Sequence, residues 1–403
     1  MVMSEFSNAV SNTLILISFA SLAFVANAAD NDLDREFQVS PGGKLVLASD
    51  AGAIDVQAWD NSSVRVSVRD SSGFTVDMNQ AGDTVRVIAE ANSGGLFSRM
   101  RSNIRFSVMV PAEFDVELDT GGGAILVSDL TGNVDADTSG GGIEIGNITG
   151  GKVVADTSGG RIQIGDVDGD VEADTSGGPI EIGNVSGWVV ANTSGGSIRI
   201  GNVQGDMTAD TSGGSIDVGQ GGATVKLDTS GGTIRAAYAL GPVYADTSGG
   251  NIYLEGSATS VEADTSGGNI VIERSIGEVD ADTSGGSITI RNSVGPINAD
   301  TAGGRIEVEL VSLDGISAEP VDLETAGGDI TLRLPSTFAA TIRANLQVSR
   351  RGRGDYGIYT DFPLTIQNDE DGNIVGSGDI NGGGARISLE TTNSDIHIVS
   401  VNN

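Results

Sequence analysis

The chain has 403 residues, with 60 glycines, 4% aromatic residues and no cysteine, and its 55 acidic against 22 basic side chains leave a formal net charge of −33. That composition supplies too few large side chains for a thick globular core and argues for an elongated repeat protein, whose units bury their apolar faces against one another. The charge argues against a nucleic-acid partner, and the lack of cysteine rules out a disulfide framework and a lipidated thiol.

In chain order, Leu14 to Val25 forms a 12-residue apolar run, too short to span a bilayer, and Ala26-Asn27-Ala28 follows with the small residues that a signal peptidase needs. Residues 1–28 therefore read as a secretory signal cleaved after Ala28, although Glu5 stands where a positive charge is usual. No second long apolar run follows. The mature chain is expected to be exported, to the periplasm, the cell surface or the medium, and not to be an integral membrane protein.

Residues 29–118 read as strands, among them Lys44 to Leu47, Ser63 to Val68 and Arg105 to Pro111. Gly52-Ala53-Ile54-Asp55-Val56 is a degenerate copy of the repeat that follows, so this section starts the same architecture as an irregular cap.

Residues 119–334 carry the main signal. Asp119, Asp137, Asp156, Asp174, Asn192, Asp210, Asp228, Asp246, Asp264, Asp282 and Asp300 each open a Thr-Ser-Gly-Gly-like phrase at steps of 18 residues, with one step of 19 where Gly150-Gly151 adds a glycine. Glu324 continues the series after a step of 24. Six residues beyond each acidic position stands an isoleucine, from Ile143 to Ile306, and Val-x-Ala precedes most of the aspartates, as in Val171-Glu172-Ala173. Alternation of this kind is the period of a strand with one buried face. Stacking equivalent strands gives an all-β fold, a single-chain β-solenoid of about 18 residues per coil. The apolar spacing of 2, 3, 4 and 2 differs from the hexapeptide pattern of left-handed helices, and the coil is expected to be right-handed.

Equivalent side chains in such a stack recur about every 4.8 Å. Neighbouring aspartates would then repel by about 1 kcal/mol in bulk water and about 3–4 kcal/mol at an effective dielectric near 20. The expected remedy is a structural corner: the carboxylate accepts backbone N–H groups of the following Ser and Gly as an Asx turn, and Gly-Gly supplies positive φ. Calcium between the rungs is the alternative. Asn192 keeps the acceptor oxygen without the charge, which suits a cap better than a metal cage, and neither a GGxGxDxUx nonapeptide nor an EF-hand loop occurs. The column Asp137, Asp156, Asp174, Asn192, Asp210, Asp228, Asp246, Asp264, Asp282 and Asp300 is accordingly read as scaffold, with no cofactor and no metal.

Catalytic readings fare no better. Leu118-Asp119-Thr120-Gly121 resembles the aspartic protease phrase but is only the first member of the column. Polysaccharide-cleaving β-helices with clustered aspartates are the enzymatic alternative, yet regular coils leave little material for a cleft. His397, in Asp395-Ile396-His397-Ile398, reads as an outward imidazole on a strand. The threonines after the aspartates share the parity of the inward Val and Ala, so they satisfy corner hydrogen bonds in preference to ordering ice.

Residues 335–403 form the second cap. They hold the one basic island, Arg350, Arg351 and Arg353, followed by Tyr356, Tyr359 and Phe362, and this stretch is the candidate ligand-contact loop. The repeat grammar returns in Gly382 to Thr391.

The DTSGGxIxI phrases, the opening FxVxPGGKLVL at Phe37 to Leu47 and the closing INGGGARISLETTNSDIHI resemble the bacterial adhesin-like β-repeat family, a domain of unknown function in secreted or envelope proteins. The resemblance implies a β-solenoid with no assigned catalytic residue. Together these readings give a noncatalytic exported solenoid of the cell envelope, binding an envelope protein or a polysaccharide.

Overall fold

The computed structural model describes residues 32–92, 104–312, 319–349, 355–368 and 373–401. The signal segment, Arg350, Arg351 and Arg353 lie outside the described residues. Among the described residues all forty elements are strands.

Each regular coil has three sides. The first is a five-residue strand such as Val171–Thr175, which pairs in parallel and in exact register with Val153–Thr157 on one side and Val189–Thr193 on the other. The second is a three-residue strand such as Ile180–Ile182, paired in the same way with Ile162–Ile164 and Ile198–Ile200. The third is narrow: a short ladder at Leu130–Thr131, Ile148–Thr149 and Val167–Asp168, continued by single bridges through Val185, Val203 and Gly221 and, further along, through Ala239, Ser257, Ser275 and Ser293. In-register stacking explains why one short phrase suffices for the whole middle of the molecule. Every coil offers its neighbours the same hydrogen-bonding row and the same inward side chains, here Val171, Ala173, Ile180, Ile182 and Val185, all buried.

The second glycine of each phrase has a different role from the one expected. None of the paired glycines has φ in the left-handed region. A Cβ on Gly232 would instead lie 1.8 Å from the carbonyl oxygen of Gly214, and one on Gly250 1.7 Å from that of Gly232. Glycine is required there because backbones of successive coils touch at the corner. The first glycine is not so confined, since a Cβ on Gly231 would meet nothing nearer than 3.8 Å. The extra glycine of the long step does adopt positive φ, at 66° for Gly150, as an inserted turn residue should.

The two ends share a device. Gly43–Ser49 does not lie outermost but sits between Thr84–Ala91 and Phe114–Thr120, and Ala53–Trp59 sits between Arg105–Pro111 and Ile125–Val127. At the other end Ala385–Thr392 is held between Val321–Thr325 and Ala340–Gln347, and Ile396–Val401 between Ile330–Pro335 and Ile358–Thr360. A coil near each terminus is thus inserted one place in from the end of the stack. Antiparallel partners close the outside: Phe74–Ala81 on Thr84–Ala91 at one end, and Ile374–Ile380 on Ala340–Gln347 at the other. Such closure keeps parallel edges from recruiting further chains.

Candidate functional site

The aspartate column is continuous in three dimensions. Asp137, Asp156, Asp174, Asn192, Asp210, Asp228, Asp246, Asp264, Asp282 and Asp300 are register partners along one sheet, extended by Asp119 and Ala48 at one end and by Glu324, Glu390 and Asn345 at the other. The step of 24 residues before Glu324 is therefore an insertion outside an unbroken ladder.

The aspartates do not form the expected Asx turns; the neighbouring threonines take that role. Thr229 is fully buried, its Oγ1 donates to the carbonyl of Gly214 in the preceding coil at 2.8 Å, and it accepts the N–H of Gly232 in its own coil at 3.2 Å. The same pair of bonds recurs at Thr157, Thr193, Thr211 and Thr265. A buried hydroxyl that both donates and accepts ties two coils together at the corner where the backbones touch. Thr229→Val strands the Gly232 N–H and the Gly214 carbonyl without water, so equilibrium unfolding should show a loss of about 1–3 kcal/mol, largely recovered in Thr229→Ser.

With that task assigned to threonine, the carboxylates face outward and keep their mutual repulsion. Asp282 is pushed up to about 6, first by partial burial and then by the charges of Asp280, Asp264 and Asp300. Asp137, Asp156, Asp210, Asp246 and Asp264 are also raised, again by burial first and then by carboxylate neighbours. Among the described residues no ion pair reaches the column. One rung relieves itself: Asn192 Nδ2 donates to Asp174 Oδ1 at 2.7 Å, so the Asp-to-Asn exchange turns a repelling pair into a hydrogen bond. Open grooves run beside the column, one of about 500 Å³ along Asp246, Asp264, Asp282 and Asp300. Among the described residues no three Asp, Glu or His side chains converge to hold a metal ion.

A second corner ladder went unread in the sequence. Asp129, Asn147, Asp166, Asn184 and Asn202 each accept, through Oδ1, the backbone N–H of the next residue in the series at 2.7–3.0 Å, ending on Gln220. The signal was present as Gly-Asn-Ile, Gly-Asp-Val and Gly-Asn-Val, but it mixes side chains and stops halfway along the stack.

The aromatic residues of the candidate contact loop separate. Phe362 is only 9% exposed and Tyr356 packs against the core, so both are cap residues. Tyr359 is 51% exposed and stacks on His397, with ring centroids 5.0 Å apart and planes 13° from parallel. The two are register partners on adjacent parallel strands, and the outward imidazole expected of His397 is what the strand presents. Tyr359 lies on the last strand of its sheet, and its ring leans across Gly357, where a Cβ would meet ring atoms at 3.1 Å. Arg350, Arg351 and Arg353 fall outside the described residues.

No family model matches the chain, and no curated protein matches it. Solved structures do. A candidate cell adhesion protein from Clostridium sporogenes aligns over 91% of this chain and 98% of its own at 7% identity, with a TM-score of 0.15. A candidate adhesin from Parabacteroides distasonis aligns over 76% and 98% at 12% identity, with a TM-score of 0.22. A candidate lipid-binding protein from the same species aligns over 75% and 98% at 14% identity, with a TM-score of 0.20. The fold assignment rests on the strand register of the chain itself. No helix among the described residues is long and apolar enough to cross a membrane.

Proposed function

We propose that the protein is a noncatalytic, exported β-solenoid of the bacterial cell envelope, an adhesin-like module that binds polysaccharide at its carboxyl-terminal end. The observation that supports this reading is the Tyr359–His397 stack: an exposed aromatic ring at the edge of a sheet, backed by a second ring and lying across Gly357. Such a platform offers a flat apolar face at little entropic cost, suited to the C–H face of a sugar ring.

The test is retention of the full chain on immobilised cell-envelope polysaccharide. Tyr359→Ala should weaken retention at least about tenfold, equivalent to about 1.4 kcal/mol, with the circular dichroism spectrum unchanged. Equal retention of variant and parent would remove the platform from the reading. Depolymerisation of the polysaccharide, abolished in folded Asp174→Asn and Asp210→Asn, would replace the binding module by the enzymatic alternative.

A further inference from the structure

The outward column of the five-residue strands changes character part-way along the molecule. It runs through Val154, Glu172 and Val190, then Thr208, Lys226 and Tyr244, and returns to acid at Glu262 and Asp280, each the register partner of the next. At the middle three the face is hollowed into a groove of about 690 Å³, whose lining spans four coils from Asp210 to Asp264, about 14 Å along the axis. Along successive strands the outward order is Thr224, Lys226, Asp228 and then Pro242, Tyr244, Asp246. Lys226 and Tyr244 therefore make the floor, Thr224 and Pro242 one wall, and the aspartate column the other.

Both floor residues lack a partner among the described residues. Of the two tryptophans and five tyrosines, Trp59, Trp188, Tyr238 and Tyr253 each lie under a cation, Tyr359 stacks on His397 and Tyr356 packs against the core. Tyr244 is 40% exposed and has neither a ring nor a cation on its faces. The chain has three lysines. Lys44 pairs with Glu117 at 2.6 Å and Lys152 with Glu172 at 2.8 Å, whereas Lys226, with Asp228 two residues on, forms no ion pair. The groove thus holds a bare aromatic face and an unengaged ammonium side by side.

We propose that this groove binds a neutral linear polysaccharide laid along the solenoid axis, at a site separate from the Tyr359 platform. Tyr244 takes the C–H face of one sugar ring, Lys226 donates to the oxygens of its neighbour, and Asp228 and Asp246 accept from the sugar hydroxyls. Charge and position select this class. The aspartate column recurs from Asp137 to Asp300, so a polycation would find its carboxylates all along the stack and gain nothing particular here. A polyanion would meet Asp210, Asp228, Asp246, Glu262 and Asp264 against one ammonium. What these coils alone provide is the ring, the proline and the lysine, and a hydroxyl-rich neutral chain uses donor, acceptor and ring together.

The two sites can be disabled one at a time. Six strand pairings separate Ile252–Leu254, in the coil of Tyr244, from Ile358–Thr360, which places them roughly 29 Å apart along the axis. The test is binding of the full chain to an array of short linear glycans: neutral glucans, mannans, galactans and N-acetylglucosamine chains, with amino-bearing and uronic chains beside them. In a Tyr359→Ala background at least one neutral glycan should still bind. Adding Tyr244→Ala should weaken that binding at least about tenfold and Lys226→Ala at least about threefold, Tyr244→Phe should keep it, and the circular dichroism should stay unchanged in all three. No neutral glycan bound by the Tyr359→Ala chain, binding confined to amino-bearing or uronic chains, or equal binding with Tyr244→Ala would each overturn the groove. Loss with Tyr359→Ala and none with Tyr244→Ala would remove the groove and leave the terminal platform standing, and the reverse pattern would remove the platform and keep the groove.

Discussion

Gly232→Ala should destabilise the protein by more than about 3 kcal/mol, while Gly231→Ala, one residue earlier in the same phrase, should change stability by less than about 1 kcal/mol. The two glycines are indistinguishable by sequence context and by the sign of φ, and differ only in what stands beside them. The new methyl at 232 would sit 1.8 Å from the Gly214 carbonyl oxygen, which belongs to the backbone of the preceding coil and cannot turn aside as a side chain would. Relief requires the coils to part, and parting lengthens the Thr229 bond to Gly214 that fastens the same corner. At 231 the nearest atom is 3.8 Å away, an ordinary contact. Urea titration of both variants, followed by circular dichroism, separates the alternatives. If the two behaved alike, the corner glycine would be a matter of local backbone freedom and not of coil-to-coil approach.

The second large effect is a response to acid opposite to that of most proteins. Asp282 titrates at about 6 in the folded chain against an ordinary value of 3.8, and Asp137, Asp156, Asp210, Asp246 and Asp264 are displaced in the same direction. Because the folded state holds these protons more tightly than the unfolded state does, stability must fall as the pH rises through the folded-state values. Conversely it grows as the pH drops from about 6 towards 3.8, each proton removing one like charge from the ladder. The melting temperature should therefore rise between pH 7.5 and pH 5, by about 2–4 °C from Asp282, after discounting for solvent around this half-exposed group. Asp282→Asn should raise it at pH 7.5 and flatten its dependence on pH. A melting temperature that falls steadily with acid over this interval would mean the carboxylates are stabilised by partners, and the ladder would have to be redrawn. The sequence already contains one such neutralised rung at Asn192, where the amide bonds to Asp174.

How much of this was legible beforehand depended on whether the cause was local. The inward isoleucines, valines and alanines and the buried threonines follow from parity along a strand, and parity is written into each repeat. The Asp column followed from the constant step. The purpose of Gly232 could not be read, because the atom that forbids a side chain there lies in another coil. The Asn147 and Asn184 corner escapes for a related reason: its members mix Asp and Asn, and only stacking shows that each accepts the N–H of the next. The terminal caps were recognised as degenerate copies of the repeat. Their place in the stack was not, since order along the chain and order along the axis part company there. In the candidate contact loop, aromatic composition drew attention to Tyr356, Tyr359 and Phe362 together, whereas strand parity and end position leave Tyr359 alone on the surface.

That displaced order at the ends bears on how the molecule would respond to tension. In a simple solenoid a terminal coil is held along one edge only, and a pull on the chain can peel it away rung by rung at low force. Here a pull arriving at Val401 or at Gly43 acts on strands gripped along both edges, Ile396–Val401 by Ile330–Pro335 and Ile358–Thr360, and Gly43–Ser49 by Thr84–Ala91 and Phe114–Thr120. Extraction must shear two parallel ladders at once or first strip the covering coil, so the stack is clamped against unravelling from either end.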